Sequence, residues 1–549
     1  MTSSMQSQAL PLSKLPQTSK LFATFLDDFS RVTAYYDHPP TLEGVRASAG
    51  KVTLDPETRQ QVVKILREQN ARFAPGRAVN TATVRNLDRL AAGAVAIVTG
   101  QQVGLFSGPS YSVYKALSAL RWADALTKEG VEAVPVFWLA TEDHDLAEVN
   151  HVLWNSRRGL VHLEVPQHEP DAGRRVGEIP LTDAADTVGR AVDALEGAEV
   201  DFVAGALRDS YTSADTFGSA FGKLFARIFA GRGLILLDPL DASLHRLAAP
   251  VYRRAVEDAE TLRDALLKRS KELEQGGLHA QVKVTRESTL LFATVQGKRQ
   301  ALRERNGKFS AGTESFTREE LLAAIEEAPE NFTPNVLLRP IVQDTLLPTA
   351  AYIGGPAEIA YMAQAQVVYR QILGRMSAML PRAGFTLVEP PVARLLKKYE
   401  LDVREILLNR GNVRSRMELR ALPRGLASRF AKDEKTLRRL LQAYTEPLER
   451  LDKTLVGARD TAEGKIHHQF LKLKSRAARA DAFRSGVIDE HERLVLDSLV
   501  PRRELQEREL CFLPFLAAYG APLLDSLARL ACPCDSGPSA SPVHQIVFL

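Results

Sequence analysis

Thr141-Glu142-Asp143-His144-Asp145 directly follows the apolar segment Ala133-Val-Pro-Val-Phe-Trp-Leu-Ala140. Three carboxylates and an imidazole at the end of one apolar run repel or crowd one another unless a cation, a base or a substrate amine shares them. An imidazole exchanges protons near neutral pH, so His144 is a candidate proton carrier, with Glu142, Asp143 and Asp145 as its catalytic companions. The competing reading is that Asp145 caps the next helix and His144 is simply hydrogen-bonded. Acids and His also bind Mg²⁺ or Zn²⁺, but this spacing matches no defined ligand pattern. Upstream, Ala94-Val-Ala-Ile-Val-Thr99 runs into Gly100-Gln-Gln-Val-Gly104, and Gly233-Leu-Ile-Leu-Leu-Asp238 is a third apolar run ending in an acid. Glycine lets backbone N–H groups approach an anion, the basis of phosphate cradles. Neither the Walker lysine nor dinucleotide-binding spacing is present, so a tight turn without ligand is an equal reading.

These clusters need elements to hold them. Tyr111 to Gly130 carries apolar residues at Val113, Leu117, Leu120 and Ala123 and stops at glycine, which predicts an amphipathic helix. Two continuous apolar strands around that helix make a βαβ unit in an α/β fold, with a parallel sheet covered on both faces. Ligands of such sheets bind beyond the carboxyl ends of the strands, where both polar clusters fall.

The rest of the chain is read around this unit. Helices are expected at Ser19 to Tyr36 and Asp55 to Asn70, an inserted β module at His151 to Leu181 including Arg175 to Ile179, and a helix from Ser219 to Ala230. From His279 to Ser310 the pattern is β, with a hairpin at Asn306-Gly307, and Thr317-Arg-Glu-Glu320 reads as a capping box. The core resumes at Asn335 to Asp344. Ala351-Tyr-Ile-Gly354-Gly355-Pro356 is then a second glycine-rich turn between strand and helix, whose glycines face the cleft of Gly100 and Gly104 if the strand joins the same sheet.

From about Lys397 to Arg508 the composition shifts to Leu, Ala, Arg, Lys and Glu. Leu437, Leu441, Tyr444, Leu448, Leu451, Leu455, Ala458 and Ala462 form a heptad seam, with a stutter at Ile466 and Phe470 and a kink or break expected at Pro447. His467-His468 reads as solvated face. The expected organisation is a core over 1–395 with inserted modules at about 151–215 and 275–330, a helical coiled coil over 396–510, and a tail over 511–549 packing on the core.

A chain of 549 residues exceeds one core. With 71 basic and 67 acidic residues its formal charge of +4 argues for neither nucleic acid nor membrane surface. Cys511, Cys532 and Cys534 cannot build a disulfide framework, which suits a reducing, cytoplasmic setting; Cys532-Pro-Cys534 is assigned no role. No targeting segment or membrane span is expected.

Val98-Thr-Gly-Gln-Gln-Val-Gly-Leu-Phe-Ser-Gly-Pro109, Pro135-Val-Phe-Trp-Leu-Ala-Thr-Glu-Asp-His-Asp145 with Asn150-His151, and Gly354-Gly-Pro-Ala-Glu-Ile-Ala-Tyr361 closely resemble the bacillithiol biosynthesis cysteine-adding enzyme family. The resemblance extends to Leu237-Asp238-Pro239, His279-Ala-Gln281, Arg339-Pro340 and the late coiled coil; Ala357 and Met362 depart from the pattern, where glycine and tryptophan are expected. It implies a Rossmann-like, nucleotidyltransferase-like core, inserted connecting modules, a coiled coil that forms a homodimer, and a ligase joining the carboxyl of cysteine to the amine of glucosaminyl-malate. Substrate or nucleotide binding is assigned to Thr99, Gly100, Gln101, Gln102, Gly104, Lys115, Asn150, Asp238, Arg339, Gly354, Gly355, Glu358 and Tyr361.

Amide formation from a free carboxylate is uphill in water, so ATP with Mg²⁺ is the expected activator, although no ATP signature is present. In that scheme the glycine turns hold phosphates or malate carboxylates, with Arg339 or Lys115 adding positive charge. His144 takes the amine proton, while Asp143, Asp145 and Glu358 hold the cysteine ammonium, the sugar hydroxyls or Mg²⁺. The alternatives are another enzyme with a class I aminoacyl-tRNA-synthetase-like core, and a non-catalytic coiled-coil scaffold.

Overall fold

Five short apolar segments, each almost free of charge, pair as a parallel sheet because strands buried on both faces have no use for alternating polarity. They are β1 (Val95–Gln101), β2 (Ala133–Leu139), β3 (Ile235–Leu237), β4 (Thr349–Gly354) and β5 (Ala378–Pro381). The computed structural model describes residues 6–549 except 17, 77, 157–158, 409–411 and 533–541. All four pairings are parallel and the strand order is 3-2-1-4-5. The order reverses between β1 and β4, so a crevice opens beyond their carboxyl ends.

Helix α1 (Tyr111–Lys128) crosses from β1 to β2, helix α2 (Arg339–Leu346) precedes β4, and helix α3 (Pro356–Ile372) crosses from β4 to β5. Trp122, Ala123 and Leu126 of α1 pack with Ile97, Ile353 and Leu380 in one buried cluster that joins helix and sheet. β3 is an edge strand, and its backbone is paired by side chains. Asn70 exchanges hydrogen bonds with the N–H and C=O of Leu236, and Gln69 does the same for Asp238. Both amides lie on the helix Pro56–Arg72, capped by Asp55, so the edge is covered rather than open.

The chain divides into two compact units, residues 1–386 with 506–547, and residues 387–505 with 548–549. In the first unit the early insert forms a hairpin, His151–Ser156 with Gly159–Glu164. The β run expected at Arg175 to Ile179 is instead a 3₁₀ turn, Val176–Glu178. Its N–H groups are taken by the end of β2, Val176 donating to Asp143 O at 2.6 Å and Gly177 to Thr141 O at 2.9 Å, so no strand partner is needed.

The later insert is a five-stranded sheet that includes Ser288–Val295, Lys298–Arg305 and Phe332–Pro334, all antiparallel neighbours in that region. Asn306 and Gly307 both adopt positive φ at its turn, as a two-residue hairpin requires. The Thr317 capping box forms, opening the helix Arg318–Glu327. The tail region of the first unit holds the helix Leu513–Leu530, and the Val543–Phe548 strand pairs antiparallel with Ser7–Pro11. Cys511 is free and buried, Cys532 is disulfide-bonded, and Cys534 lies outside the described residues.

The second unit is helical, with Arg424–Gln442, Thr445–Leu451, Thr454–Ser485 and Val487–Leu499 among its helices. The heptad seam is therefore interrupted twice. Helix Arg424–Gln442 gives way at Ala443, and Asp452 leaves helical geometry and accepts the Thr454 N–H. Leu440, Tyr444, Leu451 and Leu473 are exposed in the single chain. Among the described residues no helix is long and apolar enough to cross a membrane.

Candidate active site

Gly100 is the last residue but one of β1, where the strand passes so close to β2 that a Cβ would lie 2.7 Å from Trp138 O. Glycine here lets the two strand ends converge, and a cleft of about 720 Å³ opens above them. Gly100, Gln101, Gln102, Lys115, Glu142, Asp143, His144, Arg339, Gly355, Glu358 and Tyr361, all expected at the site, line it.

Lys115, in the second turn of α1, is buried at the floor. Its Nζ donates to Gly100 O and Gln101 Oε1, each at 2.8 Å, and pairs with Glu358. Glu358 also accepts the Tyr352 hydroxyl at 2.6 Å and the Gly355 N–H at 2.7 Å. Burial works to raise the Glu358 carboxyl, but the Lys115 charge together with the hydrogen bonds from Gly355 N–H, Lys115 and Tyr352 outweighs it and holds it below the usual range. The α3 N-terminus is thus capped by its own glutamate. This corrects the expectation that Gly355 offers its N–H to a phosphate, and Glu358 is committed to Lys115 rather than to a metal.

The acid cluster forms a second wall. Asp143 accepts the His144 N–H on Oδ1 and the Gln102 amide on Oδ2, both at 2.7 Å, and Gln102 also donates to Glu148 at 2.9 Å. Glu142 is 6% exposed and lies 3.5 Å from His245 Nε2, whose Nδ1 is 3.2 Å from the Tyr252 hydroxyl. Burial pushes the Glu142 carboxyl up to about 7 against the pull of Arg299 and Arg175. It pushes the buried His245 down to about 4. A carboxyl poised near neutrality takes and returns protons at physiological pH.

A third wall is cationic. Arg339 donates to Gln343 Oε1 at 3.1 Å and lies over the Tyr352 ring, and Arg382 lies over the Tyr111 ring. Arg382 is aimed by the buried Glu507, which accepts from its Nη2 at 2.6 Å and from Phe385 N at 2.8 Å. Arg508 completes this side. From the later insert, Arg299 lies 3.7 Å over Phe292 and donates to His144 Nδ1 at 3.1 Å.

Six expected site residues fall elsewhere. Thr99 donates to Ile353 O and ties β1 to β4. Gly104 is needed where the loop crosses Gly108, and Gly354 packs behind Glu358. Asn150 donates to Val165 O and holds the hairpin base. Asp238 is half-buried beside the end of β2, accepting from Thr141 at 2.6 Å. Asp145 caps the short helix Leu146–Val149, its carboxylate accepting Glu148 N–H, which removes it from the catalytic set. With Asp143, Asp145 and Glu358 each engaged separately, these carboxylates do not fit a shared Mg²⁺. Among the described residues no group of three His, Cys, Asp or Glu is arranged to hold a metal.

Tyr111, Glu148, Arg299, Tyr352, Arg382 and Arg508 line the cleft without having been singled out by sequence. Arg299 sits in a charged strand that reads as solvent-facing, and Arg508 in a stretch that reads as coiled coil.

A parallel sheet ordered 3-2-1-4-5, with acidic and cationic walls meeting at its switch point, defines a Rossmann-like α/β enzyme. Residues 5–383 match the bacillithiol biosynthesis BshC N-terminal Rossmann-like domain, and residues 385–538 match the C-terminal coiled-coil domain of the same family. The chain belongs to the BshC family, and its enzyme class is ligase. It is similar to the "Putative cysteine ligase BshC" of Koribacter versatilis, 40% identical over 98% of this chain and 99% of that one. Proteins of the same printed name from Solibacter usitatus and Salinibacter ruber are 37% identical over 94% of this chain and 95% of that one, and 32% over 96% of each.

Proposed function

We propose that the protein joins the carboxyl group of cysteine to the amine of glucosaminyl-malate in the cytoplasm, with ATP activating the carboxyl. The observation that carries this reading is the division of one cleft into an acidic wall and a cationic wall. A ligase that condenses an amino acid with an acidic amino sugar must hold ammonium and carboxylates side by side. Asp143 and Glu148 offer anionic oxygens to the cysteine ammonium, while Arg339, Arg382 and Arg508 face malate carboxylates or nucleotide phosphates. Glu142, poised at about 7, takes the proton that the attacking amine must lose. Mg²⁺ in this reading arrives with the phosphates of the nucleotide. Exposed Leu440, Leu451 and Leu473 supply the apolar contact for a homodimer through the helical unit.

The direct test incubates the protein with cysteine and glucosaminyl-malate, with and without MgATP, and follows product mass together with ADP and AMP. Product only with MgATP supports the activated-carboxyl ligase and identifies the activation chemistry. Product without nucleotide overturns activation by ATP, and no product from folded protein overturns the substrate assignment.

A further inference from the structure

His144 was expected to take the amine proton, yet its side chain meets a group that can only donate. Arg299 has five N–H donors and no acceptor, and it stays protonated in proteins. Its Nε donates to Thr333 Oγ1 at 2.8 Å, its Nη2 to Pro334 O at 2.9 Å and its Nη1 to His144 Nδ1 at 3.1 Å, while its plane lies over Phe292. Two acceptors and one aromatic face therefore aim an Nη1 N–H at the imidazole. An Nδ1 that accepts is unprotonated, so the ring hydrogen of neutral His144 is on Nε2.

Asp143 Oδ1 lies 3.5 Å from the same Nδ1, longer than the Arg299 contact, and already accepts the His144 backbone N–H at 2.7 Å. The contact from Arg299 is the shorter of the two and comes from a group that only donates.

We propose that Arg299 locks His144 as its neutral Nε2–H tautomer, so that the ring donates a hydrogen bond to an anionic oxygen of the bound substrate instead of acting as a base. Arg299 is then a positioning residue, delivered by the inserted β sheet. The lock itself is independent of the ligase reading; only the identity of the substrate oxygen rests on it.

The test has a spectroscopic and a kinetic arm, both on the full-length protein. In ¹⁵N-histidine-labelled protein, long-range ¹H–¹⁵N correlations assigned by comparison with H144Q should show a bare Nδ1 and a protonated Nε2 for His144. R299M should lose that single pattern. An Nδ1–H tautomer or an imidazolium in the wild type, or an unchanged pattern in R299M, overturns the proposal. Should R299M fail to fold, R299K, which keeps a cation near Phe292 but lacks the planar fork that reaches Thr333, Pro334 and His144 together, carries the same comparison.

In the kinetic arm, glutamine places an N–H donor near the position of Nε2 but has no basic nitrogen. H144A should lose roughly 10²–10³-fold in kcat, as removal of an oxyanion donor does, while H144Q keeps about a tenth or more. R299M should cost about tenfold with His144 present and little in the H144Q background, because its effect runs through the imidazole. Equal losses in H144Q and H144A overturn the donor role. Absence of turnover in the wild type would count against the ligase reading alone, since the tautomer is read without substrate.

Discussion

Lys115, buried, and Glu358, half-buried, meet as an ion pair at the point where the strand order reverses, one side chain from each of the crossover helices that follow β1 and β4. The pair is also hydrogen-bonded to Gly100 O, Gln101, Tyr352 and the Gly355 N–H, so it ties the two glycine turns together. Removing one partner leaves the other without its counter-charge in a largely desolvated place. K115M and E358Q are each expected to cost about 3–5 kcal/mol in urea unfolding, and the double variant clearly less than the sum. Additive losses would show that the two groups do not interact.

Glu142 gives a pH dependence whose sign follows from its burial. Its folded-state carboxyl is raised to about 7, above the ordinary glutamate value near 4.5, so the native state prefers it protonated. The associated stability is present below pH ~4.5 and lost as pH rises through about 7. E142Q should therefore gain on the wild type by on the order of 3 kcal/mol in unfolding free energy between pH 4 and pH 8. Turnover of the wild type should rise through pH ~7 as Glu142 becomes able to accept a proton, and E142Q should lose roughly 10²–10⁴-fold in kcat. A pH-independent stability difference would place the group in water rather than in the protein.

Gly100 should not tolerate a methyl group. G100A drives a Cβ against Trp138 O and Cβ, and the neighbouring strand end must move. A loss of about 1–3 kcal/mol is expected from thermal or urea unfolding, as for other overpacked interiors. An unchanged Tm would mean that the two strand ends separate freely.

Arg382 should act on the binding of an acidic substrate. Its guanidinium is held by the buried Glu507, so E507Q and R382Q both loosen the cationic wall. Charge-assisted hydrogen bonds of this kind contribute about 1.5–3 kcal/mol, which predicts a rise of roughly ten- to hundredfold in KM for glucosaminyl-malate with a smaller change in KM for cysteine. Equal rises in both would place Arg382 outside the malate subsite.

L451K combined with L473K should yield a monomer by light scattering. Both side chains are exposed in the single chain, so the substitutions are expected to change its intrinsic stability by no more than ~0.5 kcal/mol each. A persistent dimer would place its interface on another surface.

Much of the core was legible because buried parallel strands announce themselves as uncharged apolar runs. Ala94 to Thr99 and Ala133 to Ala140 could be placed, and the residues after them had to emerge at one end of the sheet. Glu142, Asp143 and His144 reach the cleft for that local reason. Their neighbour Asp145 does not, since it is spent on a helix cap, and Thr99 turns its hydroxyl to the next strand. The heptad rhythm was equally plain, yet it could not show that Asp452 accepts the Thr454 N–H and that the helix stops there.

Chain order and periodicity were enough to establish an alternating strand and helix core, the acid cluster at its active edge and a separate helical region, because those features depend on residues near one another in sequence. The cationic wall and the partner of His144 depended on folding. Arg299, Arg382, Glu507 and Arg508 are remote in the chain from Glu142 and His144, and a charged residue in a strand or helix reads as solvent-facing until another segment covers it. Charge and hydrogen-bonding groups act over a few ångströms of space, whatever their separation along the chain. The meeting of Arg299 with His144, and of Arg382 with Glu507, therefore exists only once the inserted sheet and the returning C-terminal segment are folded against the strand ends.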